Sequence, residues 1–263
     1  MTFDQLLDEW RADGKAQRVP EGWTQGRATF GGLVAAILHE KMAAQVAPDA
    51  SLRSLTISFV GPVAAGAIDT SATVLRAGRS VTQVEAHIRQ EGSVALAGLA
   101  SFGRGRHSNI GVATGRAPEF ATAEDCEALP YIPGVVPEFT QKFDYRIARG
   151  ALPFTGSSGR HLGGWVRFRD GSGKPVTIAH LLALIDAWPP AILPMLKQPA
   201  PASSLTWTVE FIEPLPALGA DQWWQYLAEV EQAADGYGVV QARLWDAQGR
   251  LVAFTRQTVT VFD

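Results

Sequence analysis

One cysteine, Cys126, stands among 263 residues. A lone thiol excludes an intrachain disulfide framework and any zinc site built from several thiolates. The five histidines, His39, His87, His107, His161 and His180, include no His-x-x-x-His pair, so a metal centre is unsupported. No charge sign dominates: 23 Lys and Arg stand against 26 Asp and Glu, a net charge of −3. Without a basic stripe there is no electrostatic footprint for nucleic acid. No apolar run approaches the roughly 20 residues that span a bilayer. The opening MTFDQLLDEWRADG is acidic and amphipathic, unlike a secretory signal. Together these absences describe a soluble, cytoplasmic protein.

Familiar phosphate and nucleophile motifs are lacking too. GSGK, from Gly171 to Lys174, lacks the first glycine of a phosphate-binding loop, because Phe168 stands there, and Pro175 replaces the following Ser/Thr. It reads as a turn. GSSG, from Gly156 to Gly159, lacks the spacing of a nucleophile elbow. No cofactor is implied.

What is present is globular: 46% hydrophobic and 19% charged residues. The informative signal is an internal repeat. SLTISFVGP (Ser54 to Pro62) and TWTVEFIEP (Thr206 to Pro214) share Thr56/Thr208, Phe59/Phe211 and Pro62/Pro214 at one constant offset. Both alternate polar and apolar residues, which predicts strands. Each follows an apolar helical stretch, GGLVAAILHEKMAA (Gly31 to Ala44) or IAHLLALIDAW (Ile178 to Trp188). Each precedes a longer β region with a Gly-containing turn, a hairpin signature. The expected organisation is two α+β units, residues 1–103 and 138–263, joined by a Gly/Pro-rich segment at 104–137. Each would pack one helix on an antiparallel sheet.

RATFGGLVAAILHEKM, then GWVRFRDG and HLLALIDAWPPAIL, then GRLVAFTRQTV, resemble the TesB-like acyl-CoA thioesterases. The resemblance implies a double hotdog, with each long antiparallel sheet wrapped around its helix and the two units pairing through their sheets. It also implies an acyl-CoA substrate and thioester hydrolysis, a reaction of lipid metabolism. Homo-oligomerisation stays open, as do acyl chain length and physiological substrate.

Asp186 is the chemical anomaly in an otherwise apolar helix. Its neighbours one turn away include Leu182, Ala183, Pro189 and Pro190. Burial and the negative end of the helix dipole both raise a carboxyl pKa there, as a general base near neutral pH requires. The competing reading turns the chain at Pro189 and leaves the carboxylate in solvent. When the two helices are aligned at their starts, Gly31 and Gly32 fall opposite Ile178 and Ala179, and His39 falls opposite Asp186. One helix has glycines without an acid; the other has the acid without glycines. A Gly-Gly helix start lets a carbonyl approach free N–H groups that suit an oxyanion. The complementary deficits suggest one composite site per chain.

By the same resemblance, a Ser/Thr hydroxyl and a Gln join the Asp to orient water. These map to Gln257 and to Ser204, with Thr206 as the choice after a two-residue slip. Period-two alternation would put Ser204, Thr206, Thr208 and Glu210 on one strand face. Arg76, Arg79, Arg104 and Arg106 are candidates to flank the entrance for CoA phosphates, or else ordinary surface charges. Three alternatives remain: a hotdog hydratase or dehydratase using His39, an acyl-CoA binding protein without turnover, and a Trp-rich interaction module with no ligand.

Overall fold

A computed structural model describes residues 1–13, 17–171 and 173–262. Ser172, in the expected GSGK turn, lies outside the described residues. The N-terminal half runs α1 (Phe3–Asp13), β1 (Gln17–Val19), β2 (Thr24–Gln25), β3 (Ala28–Thr29), α2 (Gly31–Ala43), β4 (Ser51–Phe59), β5 (Gly66–Ala77), β6 (Val81–Gln90) and β7 (Ser93–Gly103). After a connection carrying β8 (Glu127–Ala128), the C-terminal half runs β9 (Phe143–Arg149), β10 (His161–Phe168), α3 (Ile178–Asp186), β11 (Ala202–Phe211), β12 (Trp224–Ala234), β13 (Tyr237–Trp245) and β14 (Leu251–Val261).

Twelve strands form one antiparallel sheet in the order β1-β5-β6-β7-β4-β11-β14-β13-β12-β10-β9-β8. The halves join at its centre, where β4 pairs with β11. Thr56 lies directly opposite Thr208, their hydroxyls 3.3 Å apart, so the repeat's equivalent residues meet across a pseudo-twofold axis. Each central strand also carries a bulge at an equivalent place, between Leu52 and Ser54 in β4 and between Ser204 and Thr206 in β11. The sheet therefore repeats its irregularities as well as its letters. This is the α+β double hotdog.

Inside the curl of the sheet, α2 and α3 pack on each other. Both are apolar nearly all round, as helices shielded from water on every side must be. Leu33, Val34, Ile37 and Leu38 of α2 are buried, as are Leu181, Leu182 and Leu184 of α3. The crossing is close: a Cβ on Gly32 would stand 2.8 Å from Ala183 Cα. Only small residues permit that approach.

The connection between the halves crosses the back of the C-terminal sheet. Ala117 N–H donates to Gly249 carbonyl, Trp165 Nε1 donates to Ala121 carbonyl, and β8 pairs with β9. Helix α1 folds back over the other end of the α2–α3 pair. Phe3 packs against Trp23, Phe168 and His180, while Arg11 forms a two-point ion pair with Glu40 at 2.8 and 2.9 Å. No described helix is long and apolar enough to cross a membrane.

Candidate active site

Asp186 closes α3 as its last residue. The Ala187 carbonyl after it accepts a 3.0 Å hydrogen bond from the buried Tyr145 hydroxyl, which pins the helix end. Protein atoms enclose the carboxylate on nearly every side, while the residue as a whole keeps limited solvent access. That enclosure strips hydration from the carboxylate.

Across from it stands the start of α2. A Cβ on Gly31 would sit 2.7 Å from Asp186 Oδ2 and 3.3 Å from the Phe59 ring. No side chain larger than hydrogen fits without displacing the acid. Phe30 occupies the N-cap and supplies no side-chain cap. Helical bonding begins with Leu33 and Val34 N–H on the Phe30 carbonyl, so both glycine N–H groups lie outside the ladder. The Gly32 N–H is aimed at the Asp186 carboxylate.

Gln257, on β14, donates from Nε2 to Asp186 Oδ1 at 3.0 Å. It is paired with Trp207, and directly paired residues share a face, so Gln257 lies on the inner, helix-facing side. Desolvation raises the Asp186 pKa from 3.8 to about 7, against the opposing pull of the Gln257 and Gly32 hydrogen bonds. Burial wins because two neutral donors do not replace the hydration of a full charge.

Ser204 and Thr206 part company. The bulge between them puts Ser204 opposite Val259, on the inner face with Gln257, while Thr206 pairs with Thr258 and Ser58 on the outer face. Thr206 is exposed and turned away from Asp186, so the expectation that Ser204, Thr206 and Thr208 share one face fails at this bulge. The β4–β11 ladder also ends there, at Ser58 and Thr206. Beyond it Phe59 and Ser204 make no pair across the seam.

Arg76, Arg79 and Arg104 lie at the opposite end of β4 from the glycines. Arg104 pairs with Asp49 at 2.7 Å, just past Gly103, which lies opposite Ser51 at the start of β4. Arg76 and Arg79 border the β5–β6 turn at the same end, and Arg106 follows in the exposed connection. Phe59 and the glycines are at the other end of β4, roughly 27 Å away for eight strand steps.

The pseudo-symmetric position is dismantled. Ala100 lies opposite Leu55 just as Gln257 lies opposite Trp207, so alanine replaces the amide. Buried Leu52 replaces Ser204. His39 is buried beside Glu40, with its Nδ1 unsatisfied, roughly 12 Å along α2 from Gly31. It is too far from the glycine amides to serve a hydratase there. At the start of α3, His180 folds back on Thr177, its Nδ1 accepting from Thr177 N–H at 3.3 Å and lying 2.9 Å from Thr177 Oγ1. Its Nε2 meets Asp4 of α1 at 3.1 Å. That helix start is sealed by its own residues and covered by another helix.

Several contributors escaped sequence reasoning. Ala183 permits the helix crossing, Phe59 walls the glycines, and Tyr145 anchors the acid-bearing turn. Their only sequence signal is a small residue in a leucine-rich helix and aromatics in strands. Among the described residues no cluster of His, Cys, Asp and Glu suits a metal ion.

Comparisons with known proteins agree with this fold. No curated protein matches the sequence. The chain is similar to a conserved protein of unknown function with a hot dog fold from Alicyclobacillus acidocaldarius, at 24% identity and TM-score 0.83, covering 95% of this chain and 94% of that one. It is similar to an acyl-CoA thioesterase II from Mycobacterium marinum, at 19% identity and TM-score 0.73, covering 94% and 92%. It is also similar to a TesB protein from Mycobacterium avium, at 16% identity and TM-score 0.76, covering 98% and 100%. Below 25% identity these likenesses speak for fold. The family itself is decided by sequence models: "Acyl-CoA thioesterase N-terminal domain" matches residues 19–103 and "Acyl-CoA thioesterase C-terminal domain" matches residues 123–261. The chain belongs to the acyl-CoA thioesterase family, with one family domain in each half.

Proposed function

We propose that this protein hydrolyses an acyl-CoA thioester to the free acid and CoA at one composite site per chain. The observation that carries the reading is the juxtaposition of Asp186, hydrogen-bonded by Gln257, with the uncapped glycine start of α2.

The thioester carbonyl oxygen accepts from the Gly31 N–H, where the helix dipole favours a developing negative charge. Gln257 has spent an amide hydrogen on Asp186, so its carbonyl oxygen is left to accept from a water. That water gives its other hydrogen to Asp186, a base matched to neutral pH. Ser204, on the same face, helps hold it. The water oxygen bonds to the thioester carbon as its proton passes to Asp186. The tetrahedral oxyanion then collapses, the carbon–sulfur bond breaks, and the proton on Asp186 returns to the departing thiolate. Gly32 keeps the carboxylate aimed throughout.

The test is thiol release by purified protein from a panel of acyl-CoAs. Asp186→Asn should lower kcat by roughly 10²–10⁴. Retention of wild-type turnover by that variant would remove Asp186 from the mechanism.

A further inference from the structure

Beside Gln257, between α3 and the C-terminal sheet, packing leaves a gap of about 10 Å³, the room one water needs. Strand register creates it. The neighbour of Thr255 on β13 is Ala242, and the neighbour of Ala242 on β12 is Ala228. Their methyl groups are too short to fill the space under Ile185, the residue before Asp186. Asp186 itself does not line the gap.

The polar groups around it have a fixed sense. The Trp207 indole N–H can only donate, and it donates to the Thr255 hydroxyl. Thr255 therefore has its own O–H hydrogen to give. The residue is buried, and no described residue accepts that hydrogen. A buried hydroxyl without an acceptor is unfavourable. Gln257 stands two places along β14, on the same face. Its Nε2 is given to Asp186 Oδ1, so its Oε1 is an acceptor with no partner among the described residues. Side chains two places apart on a strand start roughly 7 Å from each other, a span that one bridging water closes. The Tyr226 hydroxyl, also without a partner among the described residues, supplies a third group at the gap.

We propose that the gap binds one water, and that Trp207, Thr255 and this water form a one-way relay that keeps the N–H end of the Gln257 amide on Asp186. Trp207 donates to Thr255, Thr255 donates to the water, and the water donates to Gln257 Oε1. Trp207 and Thr255 are positioning residues, since neither touches substrate. The Gln257 carbonyl has a second lone pair, which stays open to the attacking water.

The relay matters because Asp186 changes protonation in each turnover of the proposed hydrolysis, and on that reading this inference rests. An ionised carboxylate holds the amide N–H by charge. A protonated Asp186 can instead donate to a reversed amide, which would stabilise the acid form and weaken the base. In the relay a reversed amide meets a water whose lone pairs are already taken by Thr255 and Tyr226, so reversal is disfavoured. The titratable groups that face Asp186 from other elements are Tyr145 of β9 and Tyr226 of β12. Burial and the Asp186 charge both push their pKa values up, so they stay neutral at physiological pH. From α2 and β14 come only the neutral Gly32 and Gln257 donors, and Phe59 of β4 carries no charge.

Two measurements test this. Crystals of the whole protein, diffracting well enough to show ordered water, should hold a water within about 3.2 Å of both Thr255 Oγ1 and the Gln257 amide oxygen. Kinetics use the substrate turned over fastest among acetyl-, butyryl-, octanoyl- and palmitoyl-CoA. Thr255→Val keeps the shape and removes the hydroxyl. It should lower kcat about tenfold, the effect of one hydrogen bond, and leave KM within about twofold. It should also move the acid limb of the kcat/KM profile upward by roughly 0.5–1 pH unit. Thr255→Ser keeps the hydroxyl and should recover the wild-type limb. A dry gap in the crystal would overturn the relay. So would a folded Thr255→Val that melts at a lower temperature but keeps the wild-type limb, as a packing role alone predicts. If Thr255→Val does not fold, the water in the wild-type crystal decides. A bound water without thiol release from any of the four substrates would support the hydrogen-bond chain and overturn the hydrolase reading alone.

Discussion

Removing the charge of Asp186 should stabilise this protein while silencing it, and the gain should grow with pH. In the unfolded chain Asp186 titrates near 3.8; in the native site it titrates near 7. Between those values the native state binds more protons than the unfolded state, so stability falls as pH rises. Below pH 3.8 the residue is neutral in both states and costs nothing by this route. Above about 7 the full penalty is present. At ~1.4 kcal/mol per pH unit the penalty is about 2 kcal/mol at pH 5 and about 4 kcal/mol at pH 8. Asp186→Asn cannot ionise and avoids it. For a protein of this size 1 kcal/mol moves Tm by roughly 2–4 °C. The difference in Tm between variant and wild type should therefore widen by roughly 4–8 °C from pH 5 to pH 8. Calorimetry or fluorescence melts in matched buffers measure it, and subtracting wild type removes the other titrations common to both proteins. A difference that stays constant with pH, or shrinks as pH rises, would refute the claim that Asp186 is ionised against its surroundings.

Four further outcomes follow from the same geometry. Gly31→Ala should lower kcat by roughly 10²–10³, because the added methyl collides with Asp186 and bars the carbonyl from the amide; thiol-release kinetics check it. Gln257→Leu removes a bond that favours the carboxylate, so the acid limb of the kcat/KM profile should move upward by about one pH unit, alongside a loss of rate. Glu40 is held near 2 because its contacts with His39 and Arg11 outweigh the upward push of burial; its stabilisation is present above pH 4.5 and is lost as pH falls toward 2. Arg11→Ala should therefore destabilise by about 1 kcal/mol at pH 7 and by less at pH 3, read from denaturant melts at both pH values. Neutralising Arg76 and Arg79 together should leave KM within about twofold at physiological salt, since their separation from the glycines exceeds the ~8 Å screening length several times over.

Much of this architecture was legible in the letters. Thr56 and Thr208 announced a repeat, and they meet at its pseudo-axis because strands related by a twofold pair antiparallel through equivalent residues. The acid in α3 and the glycines of α2 were visible as residues unsuited to a plain buried helix. The hydroxyl was not decidable, because an alternating pattern contains no mark of a bulge. The extra residue between Ser204 and Thr206 inverts every face before it and turns Ser204 inward, while Thr206 stays outward beside Trp207. Arginines in GRGR carry no address either: their place depends on which end of β4 they reach.

Sequence alone determined the kind of elements, the duplication and the chemical oddity of Asp186, since periodicity and residue type act locally. Only the tertiary structure decided that Asp186, Gly31 and Gln257 converge and that the twin position is sealed by Thr177, His180 and α1. Those facts belong to helix crossing and strand register. Both are set by how distant surfaces pack, and no short window of residues contains them.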